Sequence, residues 1–337
     1  MIEIGKFGIL SNYGENIIEL LNRIRYKRIA SDNNQKLYLS KNKFSQFRWI
    51  NPCAYIGLKS VDNMGLHLNI NNHSEWGVYC GTAFGGMPLT QVNLCESLLQ
   101  GGYRGITIAH TIHSGYQFCA DAIANMYSIS GPNLTICDGV ISSGIAFWQA
   151  YNDIISQIIQ NAIVVGCEWI DNNLTSLLIR ENNTKILSSA ASSIFLKYSN
   201  PADIKDISNR VWIKSCSLIS TGSNYSVDEL ISFIIKEVQK TGLQLSDISL
   251  IISSGGDFNN DEEDIMYLRD QSIKFLKIED YYGHMLGASY IFSIAIASGL
   301  IESHNNNYDN ILIIGSDGNN RLLITILSSN IGGINNE

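Results

Sequence analysis

The stretch LTICDGVISSGIAFWQA, residues 134–150, sets a thiol and two hydroxyls around a turn: Cys137 before it, Ser142 and Ser143 after it. A nucleophile at the start of a helix gains from the helix dipole and from free backbone N–H groups, which favour negative charge there. Yet the residue at the tip of this turn is Val140, which has no chemistry. A serine attacks only with a positioned base beside it, and the one motif-placed base is His284 in YYGHMLG. Cys137 belongs to an apolar strand-like run, where a thiol acts as an inert small hydrophobe.

Other clusters fall short of a site. His110 and His113 in IAHTIHSGY have a spacing that could put two imidazoles on one helix face, but no cysteine or carboxylate joins them. In DFNNDEED, Asp257, Asn259 and Asp261 alternate as in a calcium loop. Glu262 then stands where glycine is needed, and Leu268 where a bidentate glutamate is needed. CGTAFGG, 80–86, lacks the Gly-Lys-Ser/Thr of a phosphate loop. No metal site and no cofactor follow from these patterns.

The elements that must position the turn read as a duplication. FGILSNYGENIIELLNRI near the start is a strand, a polar turn and an amphipathic helix, and CSLISTGSNYSVDELISFIIKEV, 216–238, has the same order. In the second copy Ser226 and Glu229 form a capping box. WGVYCGTAFGG is echoed by ISLIISSGGD, and AIVVGCEWI by ILIIGSDGNN. Between them lie two strand–turn–helix units whose helices, near 145–160 and 287–301, are apolar almost all round. Such helices belong to a layer buried between sheets. The expectation is an α/β protein, a duplicated five-layer α-β-α-β-α sandwich with mainly parallel sheets, divided into halves at 1–195 and 196–337.

A chain of 337 residues with 45% hydrophobic and 16% charged residues can bury a sizeable core, which excludes disorder. A net charge of −8 without a basic patch argues against a nucleic-acid partner. The apolar stretch 290–301 is too short to span a bilayer, so no membrane role is expected. Seven cysteines without a Cys-x-x-Cys pair, and no basic-apolar leader, point to free thiols in the cytoplasm.

Several motifs, in one order, resemble those of the β-ketoacyl synthases, a family with the thiolase fold. GPNLTI followed by SSGIAFWQA resembles the family's nucleophile turn, QGGYRGITIAHTIHSGYQFCADAIANMYSISGP the segment before it, YYGHMLGASYIFSIAIASGLI the Asn-Ile-Gly-His motif and its helix, and IIGSDGNNRLLITIL the closing strand. The resemblance puts Val140 where the family has its acyl-accepting cysteine. It puts SSGGDFNND, 253–261, where the first histidine belongs, and His284 at the second. Glu279 replaces a lysine, and Ser316 a gatekeeping phenylalanine. The segment with His110, His113 and Tyr116 corresponds to one near the family's dimer interface.

This pattern of losses resembles the chain length factors, or ketosynthase-β subunits, of type II polyketide and aryl polyene systems. The resemblance implies a catalytically silent acyltransferase-complex subunit. It would form a heterodimer with an active ketosynthase and help shape the cavity where a polyketide, polyene or fatty-acyl chain grows on an acyl carrier protein. Two other readings stay open. One is a stand-alone acyltransferase or malonyl decarboxylase using His284 with Ser142 or Cys137. The other is a homodimeric scaffold pseudoenzyme.

Overall fold

Alternating and continuous apolar runs become strands, and capped amphipathic runs become helices, at the boundaries their local chemistry sets. The computed structural model describes residues 1–31, 51–66, 72–106, 114–179, 186–200, 210–221, 226–255, 273–303, 308–318 and 320–330. Strand β1 (Ile2–Ser11) leads into α1 (Ile17–Arg25), whose cap Asn16 accepts the Glu19 N–H at 2.9 Å. Then come α2 (Pro52–Asn63), β2 (Trp76–Gly81), α3 (Met87–Gly101), α4 (Phe118–Tyr127) and β3 (Asn133–Ile136). They are followed by α5 (Ser142–Ile155), β4 (Asn161–Glu168), α6 (Asn172–Ile179) and β5 (Ala190–Tyr198). The later part carries β6 (Val211–Ser220), α7 (Val227–Lys240), β7 (Leu250–Ser254) and β8 (Lys274–Lys277). It ends with α8 (Ile278–Tyr282), α9 (Ser289–Glu302), β9 (Asn310–Ser316) and β10 (Arg321–Ser328). The Ser226–Glu229 capping box at α7 is present with both of its hydrogen bonds.

Among the described residues the strands hydrogen-bond in the order β3-β2-β4-β5-β1-β6-β10-β9-β7-β8. Numbered within its own set, each group of five has the same order, 3-2-4-5-1, counted inward from its edge. The two sets meet through β1 and β6, which share only three residue pairs, Ile2 with Ile213, Glu3 with Trp212 and Ile4 with Val211. β5 ends at Tyr198, past the division expected after 195.

The sheets are mixed rather than mainly parallel. β2 is parallel to β3 and β4, and β7 to β8 and β9. The inner pairs β4–β5, β5–β1, β1–β6, β6–β10 and β10–β9 are antiparallel. The reason is local for β9 and β10: four residues, 317–320, separate them, and so short a link can join only antiparallel neighbours. The long-range partner choice of β1 leaves no mark in its own sequence.

The layers follow from which faces are apolar. α2 and α4 cover the outer face of the first strand set, and α7 that of the second. α5 and α9 lie in the middle and touch strands of both sets. α9 is buried at every residue from Ser289 to Ile301, as a helix between two sheets must be. Its serines turn inward: Ser293 and Ser298 donate to the carbonyls of Ser289 and Ile294, one turn back. α5 starts at Ser142 and ends at Ile155, earlier than the 145–160 expected. No helix of the described residues is long and apolar enough to cross a membrane.

Candidate functional site

The turn before α5 is placed by close backbone contact at the ends of β2 and β4. Gly81 and Gly166 are register partners on these strands. A Cβ at Gly81 would fall on the Ser143 backbone, and one at Gly166 would lie 2.9 Å from Ser143 Cβ. Two glycines side by side therefore let the helix start touch the sheet. Gly139 opens the turn at φ +59, and residues Gly139–Ile141 form one 3-10 turn. Val140 sits in it, half-buried.

The hydroxyls that follow are committed to structure. Ser142 is buried; its Oγ donates to the Gly139 carbonyl at 2.6 Å and accepts the Asp138 N–H at 2.8 Å. Its single proton is thus spent on the turn, so it braces the 3-10 turn rather than capping α5. Ser143 Oγ, also buried, accepts the Ile291 N–H of α9 at 3.4 Å. Cys137 is exposed as a residue, yet desolvation of its thiol, followed by the nearby Cys80 and Glu168, pushes its pKa up to about 12. At neutral pH it is a thiol, not a thiolate.

The structure brings Val140 and Glu279 to the same glycine. A Cβ at Gly255, where φ is +63, would lie 3.3 Å from the Val140 carbonyl oxygen and 3.8 Å from Val140 Cβ. The Gly255 N–H donates to Glu279 Oε1 at 2.5 Å. His284 is buried, and its backbone is bound on both sides. Its N–H donates to Ile186 O at 2.6 Å, and its carbonyl accepts the Ser188 N–H at 3.0 Å. The 3-10 turn Leu286–Ala288 that follows it packs on the Gly139–Ile141 turn. Ser316, buried at the end of β9, accepts the Gly318 N–H at 3.0 Å. Tyr116 is half-buried and packs toward Gly85, whose Cβ would lie 3.2 Å from its ring. His110, His113 and residues 257–264 lie outside the described residues.

Two features escaped the sequence patterns. Arg321, at the start of β10, holds Asp138 through both terminal guanidinium nitrogens, one at 2.8 Å, and holds Asp317 through Nε at 2.8 Å. These two carboxylates hold the guanidinium pKa above its ordinary value. Glu168, fully buried at the end of β4, accepts the N–H groups of Ala83 at 2.6 Å and Phe84 at 3.1 Å, and the Thr82 hydroxyl at 3.3 Å. Burial outweighs these bonds and pushes its carboxyl up to about 8. The acid ending the apolar run AIVVGCE was the available signal.

A groove of about 1070 Å³ runs between α1, β8 and α9, lined by residues such as Leu21, Phe275 and Leu300. None of the turn residues lines it. Val140 sits in a turn that Ser142 braces through Gly139 and Asp138.

No protein-family model matches this sequence, and comparison with curated proteins gives no match. Solved structures do match. One is a type II polyketide synthase acyl-carrier protein in complex with its ketosynthase bound to the hexaketide, with a TM-score of 0.79, 13% identity, and 98% of this chain and 99% of that chain covered. The ishigamide ketosynthase/chain length factor gives 0.77 at 12% identity, with 97% and 99% covered. A ketosynthase in complex with its chain length factor from Xenorhabdus doucetiae gives 0.74 at 14% identity, with 97% of each chain covered. The chain has the thiolase-type fold of the ketosynthases, as its motifs led one to expect.

Proposed function

We propose that this protein is a catalytically silent, ketosynthase-like subunit that pairs with an active β-ketoacyl synthase. Together they would elongate a polyketide, polyene or fatty-acyl chain carried on an acyl carrier protein. What supports this reading is the turn itself: Val140 stands where the motif resemblance puts the nucleophile, and the Ser142 hydroxyl donates to the Gly139 carbonyl. A ketosynthase fold without its thiolate can still help to shape a cavity shared with an active partner. In this reading Glu279, His284 and Ser316 are vestiges of the site. The two strand sets are its two halves, divided between β5 and β6.

The two ends of the strand order support pairing at one end. β8 ends the order with exposed Lys274 and Lys277, charges that discourage edge-to-edge contact. β3, at the other end, is Asn-Leu-Thr-Ile, uncharged, with Leu134 exposed. Among the described residues β3 has β2 as its one neighbour, and such an edge suits pairing with an equivalent strand of a second subunit. Tyr116, with His110 and His113, belongs to the segment assigned to that interface. Two solved neighbours, the ishigamide protein and the Xenorhabdus complex, are described as pairing a ketosynthase with a chain length factor.

The purified chain, incubated alone with acyl and malonyl thioesters of a carrier protein, tests the silence. The expected result is no acyl adduct by intact mass and no CO2 release. Release of CO2 that disappears in His284→Ala would overturn this reading in favour of a decarboxylase.

A further inference from the structure

Cys53, Cys80, Cys119 and Cys167 come from four elements and end in one buried knot of sulfur. Cys80 on β2 and Cys167 on β4 point to the same face of the sheet, because Cys80 pairs with Val165, two residues before Cys167. Cys53 and Cys119 stand in the first turns of α2 and α4, which pack on that face. Cys167 Sγ lies 3.8 Å from Cys80 Sγ, 3.8 Å from Cys119 Sγ and 3.5 Å from Cys53 Sγ. The sulfurs of Cys80, Cys119 and Cys167 are all within 4.8 Å of one another. Thiolates bound at about 2.3 Å around one tetrahedral cation are themselves about 3.8 Å apart.

Space around these sulfurs is kept by Gly57, one turn from Cys53 on the same face of α2. A Cβ there would lie 2.5 Å from Cys119 Sγ and 3.4 Å from Cys167 Sγ. Glycine is unfavourable inside a helix, and here it leaves the thiols room. A single buried cysteine is a small hydrophobe. Three within 4.8 Å of one another present soft donor atoms to a common point, and Cys53 lies against one of them.

We propose that Cys80, Cys119 and Cys167 hold a thiophilic d10 cation, zinc(II) or copper(I), that ties α4 to β2 and β4, with Cys53 of α2 against Cys167 as the nearest further sulfur. An all-sulfur set selects such cations over magnesium or calcium, which take oxygen ligands. The thiols lose their protons on binding, and the closed pocket requires the cation to enter as the chain folds. The site also braces the loop after β2: Thr82 Oγ1 lies 3.8 Å from Cys53 Sγ and bonds to Glu168.

The test is metal content of the full chain, produced in zinc-supplemented and in copper-supplemented medium and measured by plasma mass spectrometry. The expected result is about one equivalent of zinc or copper per chain. It stays in Cys95→Ser/Cys137→Ser, which removes the two exposed thiols, and falls roughly tenfold or more in Cys119→Ser/Cys167→Ser. Chain refolded with cobalt(II) should show the visible spectrum of a tetrahedral thiolate site. Wild-type content below about a tenth of an equivalent from both media overturns the proposal. So does metal that is lost with Cys95 and Cys137, or an intact mass two hydrogens short, which marks a disulfide. Should the cluster variant not fold, the wild-type content and the surface variant decide the matter.

Discussion

Asp138 and Arg321 are 183 positions apart in sequence and share a two-pronged ion pair. The bond fastens the turn before α5 to the first residue of β10, so the two strand sets meet at Val140's own turn. Asp317 completes the grip on the guanidinium. Both Arg321 and Asp138 are partly exposed, so solvent screens much of the attraction.

Arg321→Ala is therefore expected to lower stability by only about 1 kcal/mol, with part of that loss appearing already in the wild type at high salt. Urea unfolding of both proteins at low and high ionic strength checks this. A variant as stable as the wild type at low salt would show that the pair contributes nothing.

Gly81→Ala is expected to be far more damaging, because its Cβ falls on the Ser143 backbone, which cannot move without shifting α5. The loss should be about 3 kcal/mol or more. Thermal unfolding or the soluble yield reads it. An alanine tolerated without change would contradict the close approach of helix and sheet.

Glu168 makes stability depend on pH. Its carboxyl is raised to about 8 in the folded chain, so the folded state holds a proton that the unfolded state releases at lower pH. The stability this gives is complete below the ordinary carboxyl value and is lost as pH rises through about 8. Glu168→Gln, which cannot ionise, should flatten the slope between about pH 5 and about pH 8 while lowering stability, since its one oxygen can replace only one of the two acceptors that Ala83 and Phe84 use and its NH2 faces the other N–H. Unfolding midpoints across that range, parallel in the two proteins, would contradict this.

Val140→Cys returns a thiol to the turn but should not return condensation. The Glu279 carboxylate, bound to the glycine that Val140 touches, disfavours a thiolate there. Alkylation of the new thiol should run roughly tenfold or more slower than that of exposed Cys95. Acyl transfer by this variant alone would show that the rest of the site is intact.

Much of this was legible in the residues. The Ser226–Glu229 box, the apolar character of α9 and the valine at the turn are local facts, and each appears where the sequence puts it. What was not legible depends on partners distant in the chain. Glu168 acts through N–H groups 84 and 85 positions away. The cysteine knot joins residues spread from 53 to 167, with no spacing motif to mark it. The antiparallel inner strands depend on β1 joining β5 and β6, a choice made by the whole sheet.

The most direct test of the central claim is native mass spectrometry of this chain produced alone and together with an active ketosynthase that carries its cysteine and both histidines. A one-to-one complex, broken by Leu134→Lys on the β3 edge, is the expected result. A stable homodimer that ignores the ketosynthase would contradict the claim.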